Sequence, residues 1–355
     1  MTEELKKHRD RIDAIDAQLL ALVSERARLA QIIGGLKNGG PIYRPEREAQ
    51  ILRRLQQHNP GPLSDEAVGT IFRTIMAHCR ALEKALSVAF LGPAGTYSEE
   101  AAIKQFGALS APVQCASIDE VFRVVEAGQV DYGVVPVENS TEGAIGRTLD
   151  LLLASPLHIC GEVALPVHHN LLSRATDPSA LRCVYAHAQS FAQCHEWLNL
   201  HLPGVARQAV SSNAEAARLA AQDERAAAIA SRRAGELFGL HPLAENIEDD
   251  PRNTTRFLVL ASHDVAPSGR DKTSLVMSTR NVPGAIVELL SPFAQHGVSM
   301  TRLESRPSHT GMWEYVFFVD VEGHRSDAPV AKALEQITAR AAFLKVLGSY
   351  PVATL

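Results

Sequence analysis

Residues 3 to 36 place the strongest limit on how this chain can fold. Ile12, Ile15, Leu19, Leu22, Leu29, Ile33 and Leu36 recur at spacings of three, four and seven, the seam of a long amphipathic helix. Such a helix is about 50 Å long at 1.5 Å per residue. The seam position after Leu22 holds Arg26, and a charge on a buried stripe needs a counter-charge. Two shorter helices follow. One starts at Pro45, a good first-turn residue, and runs to about Gln57. The other starts after Ser64, with Asp65 and Glu66 in its first turn. They cannot cover the first helix, so a second copy of the chain is expected to bury its seam, giving a homodimer or higher homo-oligomer.

The texture changes at Leu86-Ser87 and again near 263–270. Residues 87–265 alternate short apolar runs with amphipathic helices, an α/β pattern. Residues 271–355 read strand, helix, strand, strand, helix, strand, an α+β ferredoxin-like unit. The chain is thus expected to be multidomain, with an all-α dimerising domain first (1–86). No run approaches the ~18 apolar residues of a membrane helix, and residues 1–16 lack the apolar core of a signal peptide. The net charge of −5 provides no basic stripe for nucleic acid. Five scattered cysteines without a CxxC pair read as free thiols in a reducing cytoplasm. No HExxH, P-loop or GxGxxG is present, so neither a metal nor an organic cofactor is expected.

Cations and strand ends suggest anion sites. Lys37 lies three turns beyond Arg26, so the two share a helix face. Arg9 is about 25 Å from Arg26 and could reach a shared ligand only from a second copy. In the middle region, Thr96-Glu99, Ser117-Glu120, Ser190-Gln193 and Ser212-Glu215 match the capping box. Several such helix starts around one cleft would receive a dianion. An apolar strand ends in Glu138, Asn139, Ser140 and Thr141, a position that favours ligand binding. Thr255-Arg256 is read as just preceding the strand Phe257 to Leu260.

These residues carry resemblances to known families. The segment His8-Arg9-Asp10-Arg11-Ile12-Asp13, with Glu25-Arg26, Lys37 and Arg47-Glu48, resembles the all-helical chorismate mutase domain. The resemblance implies a pocket of Arg26, Lys37, Arg47, Glu48 and Glu83, with Arg9 from the partner copy. Chorismate rearranges to prephenate without a protein nucleophile. Cations would fix its carboxylates, and Lys37 with residue 83 would stabilise the ether oxygen. Position 83 is Glu where the commonest bacterial form has Gln, and a carboxyl donates there only when protonated. Cys79 stands where a small Ser is usual.

Gly92-Pro93-Ala94-Gly95-Thr96-Tyr97-Ser98, Val137-Glu138-Asn139-Ser140, His187-Ala188-Gln189 and Thr255-Arg256-Phe257 together resemble prephenate dehydratase. That implies two α/β lobes around a cleft, like periplasmic binding proteins, with the second lobe at about 168–245. It also implies conversion of prephenate to phenylpyruvate, with loss of CO2 and hydroxide. Thr255 would donate to the departing hydroxyl, Arg256 would clamp a carboxylate, and Thr96, Glu138, Asn139 and Gln193 would bind the substrate. Ala186 replaces the Ser usual before His187.

Pro283-Gly284-Ala285-Ile286-Val287 and Glu304-Ser305-Arg306-Pro307 resemble the phenylalanine-binding ACT domain. The effector L-phenylalanine would then meet Asn281, Gly284, Ala285, Ile286, Glu304, Ser305 and Arg306, between two ACT units. Feedback by phenylalanine is the implied regulation. The rival readings are a non-catalytic carboxylate-binding sensor, and a dehydratase whose mutase module is inactive and serves only to dimerise.

Overall fold

The structure, a computed structural model, describes residues 3–36, 40–280, 282–308 and 315–353. Two compact units result, Met1–Leu86 with Phe106–Ala111, and Ser87–Gln105 with Pro112–Leu355. The break at Leu86-Ser87 coincides with the change from helical to strand pattern. Among the described residues, no helix is long and apolar enough to cross a membrane.

The described residues of unit 1 form three helices, α1 (Glu3–Leu36), α2 (Pro45–Gln57) and α3 (Asp65–Ala81). Pro45 opens α2, and the Ser64 hydroxyl caps α3 by accepting the Ala67 N–H. Leu52, Met76, Ala77 and Cys79 are buried. α1 buries no residue within one chain, and its seam is open, with Ile12 56%, Leu22 62% and Ile33 53% exposed.

Unit 2 begins with an α/β lobe. Its elements are β1 (Ser87–Leu91), α4 (Tyr97–Phe106), β2 (Ala111–Cys115), α5 (Ile118–Glu126), β3 (Tyr132–Asn139), β4 (Gly143–Ala144), α6 (Gly146–Ala154) and β5 (His158–Pro166). Gly133 lets α5 lie close on β3, since a Cβ there would come within 2.9 Å of Val121. The chain then leaves for a second lobe of β6 (Asn170–Ser173), β7 (Cys183–His187), α7 (Ala188–Gln193), α8 (His195–His201), β8 (Ala206–Val210), α9 (Asn213–Ala220), β9 (Ala226–Ala230), α10 (Arg232–Phe238) and β10 (His241–Ala244). It returns as β11 (Thr254–Ala261), which pairs antiparallel with both β3 and β5. The sheet orders are β2-β1-β3-β11-β5 and β10-β6-β9-β7-β8.

The final region is β12 (Asp271–Ser278), α11 (Ala285–Gln295), β13 (Met300–Pro307), β14 (Tyr315–Glu322), α12 (Ala328–Arg340) and β15 (Phe343–Pro351), with sheet order β13-β14-β12-β15. Sequence texture suggests a separate domain here, yet the region packs as part of unit 2. Val276, Phe318, Leu347 and Tyr350 share one core with Val135, Leu149 and Ile159. Gly348 lies so near β5 that a Cβ would meet the Ile159 carbonyl oxygen at 2.1 Å.

Candidate functional site

The cleft of unit 2 is built from strand ends and helix starts. Thr96 caps α4, its hydroxyl donating to the Leu91 carbonyl at 3.0 Å and accepting the Glu99 N–H at 3.5 Å. Glu99 Oε2 in turn accepts the Gly95 N–H at 2.6 Å. Ser212 caps α9 by accepting the Glu215 N–H at 3.1 Å, and Asn213 follows it. Ser190 departs from the capping pattern. His187 Nδ1 caps α7 by accepting the Gln189 N–H at 3.3 Å, and the Ser190 hydroxyl instead accepts from Asn213 Nδ2 at 2.7 Å.

These helix starts, Asn139, Thr255, His169, His187 and Gln193 border a cavity of about 580 Å³, enough for one small organic molecule. No lysine or arginine is among the described residues lining it. What it offers an anion are N–H groups and the positive dipole ends of α4 and α9, with the Glu215 carboxyl also in the lining.

A hydrogen-bond chain runs along one wall. Asn139 Oδ1 accepts from the Thr141 N–H at 3.0 Å, the Glu142 N–H at 3.2 Å and the Thr141 hydroxyl at 2.6 Å. Asn139 Nδ2 donates to Thr255 Oγ1 and to Asn253 Oδ1, both at 2.8 Å. Asn253 Nδ2 donates to Gln193 Oε1 at 3.1 Å, and Gln193 Nε2 to Thr141 Oγ1 at 3.1 Å. His169 Nε2 also meets Gln193 Oε1, at 2.8 Å, and its Nδ1 lies 3.1 Å from the Tyr97 hydroxyl. Burial lowers the His169 pKa below its ordinary value, opposed by the Gln193 bond and by Glu248. Asn253 and His169 are not singled out by the sequence reading. Asn253 sits in the polar stretch leading to Thr255, but a lone buried His carries no periodic signal.

Two expected substrate ligands, Glu138 and Arg256, face away from the cleft. β11 begins at Thr254, so Thr255 and Arg256 lie within the strand, and successive strand residues point to opposite faces. Thr255 pairs with Asn139 on the cleft side, and Arg256 pairs with Glu138 on the other. Arg256 Nε donates to Glu162 at 2.7 Å, Nη1 to Asp320 at 2.6 Å and Nη2 to the Tyr350 hydroxyl at 2.9 Å. Lys272 meets the same Glu162 at 2.9 Å, and Arg302 meets Glu138 at 3.2 Å. The expected carboxylate clamp is a buried ion cluster joining β11 to β14 and β15. Burial pushes the Tyr350 phenol pKa up, keeping it neutral beside these charges.

In unit 1, Arg26 Nη1 reaches Cys79 Sγ at 3.0 Å, joining α1 to α3. The Glu83 carboxyl lies against Gly34, where a Cβ would come within 2.7 Å of it. Glu48 forms an ion pair with Arg80 rather than facing open space, and Arg80 lies over the Tyr43 ring at 5.0 Å. Arg80 is buried and the sequence reading passes over it. Arg9 and Arg47 are exposed on their helices, and Lys37 lies outside the described residues.

A second cavity of about 690 Å³ is lined by Gly284, Ala285, Ile286, Val287, Tyr315 and Phe343, with Leu153 from α6. Gly284 adopts φ +82° before α11, a conformation that favours glycine. Of the expected effector ligands, Asn281 lies outside the described residues. Glu304, Ser305 and Arg306 do not line this cavity. Arg306 turns to Asp150 on α6, at 2.9 and 3.1 Å, because alternation along β13 directs it toward that helix.

The chain matches three family models: Chorismate mutase type II over residues 8–84, Prephenate dehydratase over 88–265 and ACT domain over 273–339. It is 53% identical over 356 residues to a bifunctional chorismate mutase/prephenate dehydratase of Neisseria gonorrhoeae, covering 99% of this chain and 98% of that one. A crystal structure of prephenate dehydratase in complex with L-Phe from Arthrobacter aurescens is 33% identical, with a TM-score of 0.70 over 75% of this chain and 90% of that one. A quorum quenching acylase, GqqA, is 30% identical, with a TM-score of 0.69 over 75% of this chain and 98% of that one.

Proposed function

The chain belongs to the bifunctional chorismate mutase/prephenate dehydratase family, and we propose from that premise which residues carry each reaction. The isomerase step turns chorismate into prephenate, and the lyase step turns prephenate into phenylpyruvate; an ACT regulatory domain accompanies them. This activity sets aside the non-catalytic sensor.

Thr255 is the donor to the departing ring hydroxyl. One observation carries this reading, the 2.8 Å contact from Asn139 Nδ2 to Thr255 Oγ1. An amide nitrogen has no lone pair to offer, so the threonine oxygen accepts and its own proton is left for the cavity. A threonine is too weak an acid to give that proton up unaided, so its contribution is a hydrogen bond to developing hydroxide. The prephenate carboxylates go to the N–H groups at the starts of α4 and α9, in place of Arg256. Asn139 and Gln193 hold Thr255 in register. Thr96 acts through its cap, which fixes the start of α4. Thr255→Val is expected to lower kcat for phenylpyruvate formation about 10²–10³-fold, while Thr255→Ser keeps most of it. Full turnover by Thr255→Val would overturn the assignment.

The mutase pocket takes Arg26, Lys37, Arg47, Glu48 and Glu83 from one copy and Arg9 from another. The Arg26–Cys79 contact and the seat of Glu83 against Gly34 support convergence of α1 and α3 there. Arg80 holds Glu48 in place. The exposed α1 seam supports a homodimer, which would also bring in Arg9. Arg26→Ala is expected to abolish chorismate turnover and leave prephenate turnover intact. Chorismate turnover surviving Arg26→Ala would overturn this pocket, and none in the parent chain would mark an inactive, dimerising module.

L-phenylalanine is the effector of the ACT region, bound in the cavity at Gly284, Ala285 and Ile286. An apolar lining beside a helix start suits an aromatic amino acid, and the Arthrobacter dehydratase carries L-Phe. A coupled assay from chorismate, with and without phenylalanine, tests this. The free cysteines fit a cytoplasmic setting.

A further inference from the structure

His169 has no place in the chemistry assigned so far, yet it lines the cleft and is only 1% exposed. Its position is held from several sides. Its backbone N–H goes to Glu248 Oε2 at 2.8 Å, and Glu248 Oε1 meets His168 Nδ1 at 2.8 Å. Its ring stands edge-on to Tyr97, with centroids 5.9 Å apart.

The direction of every bond between His169 and Thr255 can be deduced. The backbone N–H groups of Thr141 and Glu142 can only donate, so the Asn139 atom they meet is its oxygen. Asn139 Nδ2 is then the donor to Asn253, which places the Asn253 oxygen on that side and its nitrogen toward Gln193. The Gln193 atom meeting Asn253 is therefore its oxygen, and the same oxygen meets His169 Nε2 at 2.8 Å. Two acceptors cannot share that distance without a proton, so Nε2 carries the hydrogen. Burial favours the neutral ring, which leaves Nδ1 bare. The Tyr97 proton then lies between Nδ1 at 3.1 Å and the His168 carbonyl at 2.7 Å.

We propose that His169 is a positioning residue of the dehydratase: its Nε2–H fixes Gln193 and, through Asn253 and Asn139, supports the position of Thr255 on the cleft wall. The inference rests on the reading of Thr255 as donor. Without the His169 donor, Gln193 Oε1 is left to the Asn253 Nδ2–H. Gln193 can then shift along the wall, and Asn253 and Asn139, whose bond directions stay set by the Thr141 and Glu142 N–H groups, lose part of the support that places Thr255.

Two variants of the full chain separate this from mere packing. His169→Gln places an amide nitrogen near the Nε2 position, whereas His169→Asn reaches only to Nδ1. With prephenate, His169→Asn is expected to lower kcat about 10–100-fold with KM within about threefold, and His169→Gln to recover most of the loss. Equal loss in both, or no loss in either, would overturn the proposal. In the unaltered protein, ¹⁵N shifts of the imidazole should report Nε2 protonated and Nδ1 bare. The opposite tautomer would overturn it even if His169→Asn failed to fold. Loss in Thr255→Val with wild-type rates in both His169 variants would sink the His169 role alone. Full turnover in Thr255→Val would sink the donor reading beneath it.

Discussion

Thr255 and Arg256 are neighbours on one strand with different tasks, because a strand sends adjacent side chains to opposite faces. Arg256 is committed to Glu162, Asp320 and Tyr350. Arg256→Met is therefore expected to destabilise unit 2 by about 3–5 kcal/mol, the cost of stranding buried carboxylates. Thermal melting measures that loss. A carboxylate clamp would instead raise KM for prephenate, and KM is expected to stay within about threefold. His169 adds a pH effect. Its folded-state pKa lies below the ordinary 6.5 through burial, so the unfolded chain binds its proton more readily. Stability from this group is complete above that ordinary value and is lost as pH falls toward the folded value. Melting temperature should fall between pH 7 and 5, less steeply in His169→Gln than in the parent chain.

α6 has one end near the cleft wall and the other at the ACT cavity. It starts just after residues 140–145, whose Thr141 and Glu142 N–H groups hold Asn139, and Leu153 near its other end lines the cavity beside Gly284. Lys345 Nζ closes that end, donating to the carbonyls of Leu152 at 2.9 Å, Leu153 at 3.1 Å and Ser155 at 2.5 Å. Burial lowers the Lys345 pKa, opposed by Glu126, and these carbonyls offset the cost of burying the charge. Lys345→Met leaves them without that donor and is expected to destabilise unit 2 by about 1–3 kcal/mol, readable as a lower denaturant midpoint. α1 presents the opposite case, a long helix whose apolar seam finds no cover in its own chain. On the proposed arrangement, in which a second copy covers this seam and supplies Arg9, Leu22→Glu is expected to shift the protein toward monomer in sedimentation and to lower chorismate turnover.

At the scale of the whole molecule, the ACT region is continuous with the dehydratase lobe through a shared core and the Arg256 ion cluster. A chain ending at residue 265 would expose Val135, Leu149 and Ile159 and leave Arg256 without Asp320 and Tyr350. It is expected to yield little soluble protein, whereas an independent domain could be removed without that loss. Periodicity alone marks the α1 seam, the switch at Leu86-Ser87 and the strand-helix-strand order of the last region, because each is a local pattern of side-chain polarity. Motifs point to Thr255 and Asn139 for the same local reason. The side on which Arg256 and Glu138 emerge depends on where β11 starts and how it registers with β3, a matter of pairing across more than a hundred residues. The Arg80–Glu48 pair and the His169–Gln193 contact likewise join distant segments. The chain's own order of residues determined its elements and the kinds of chemistry available. Only tertiary packing decided which polar groups meet, because burial and hydrogen-bond direction are properties of neighbours in space.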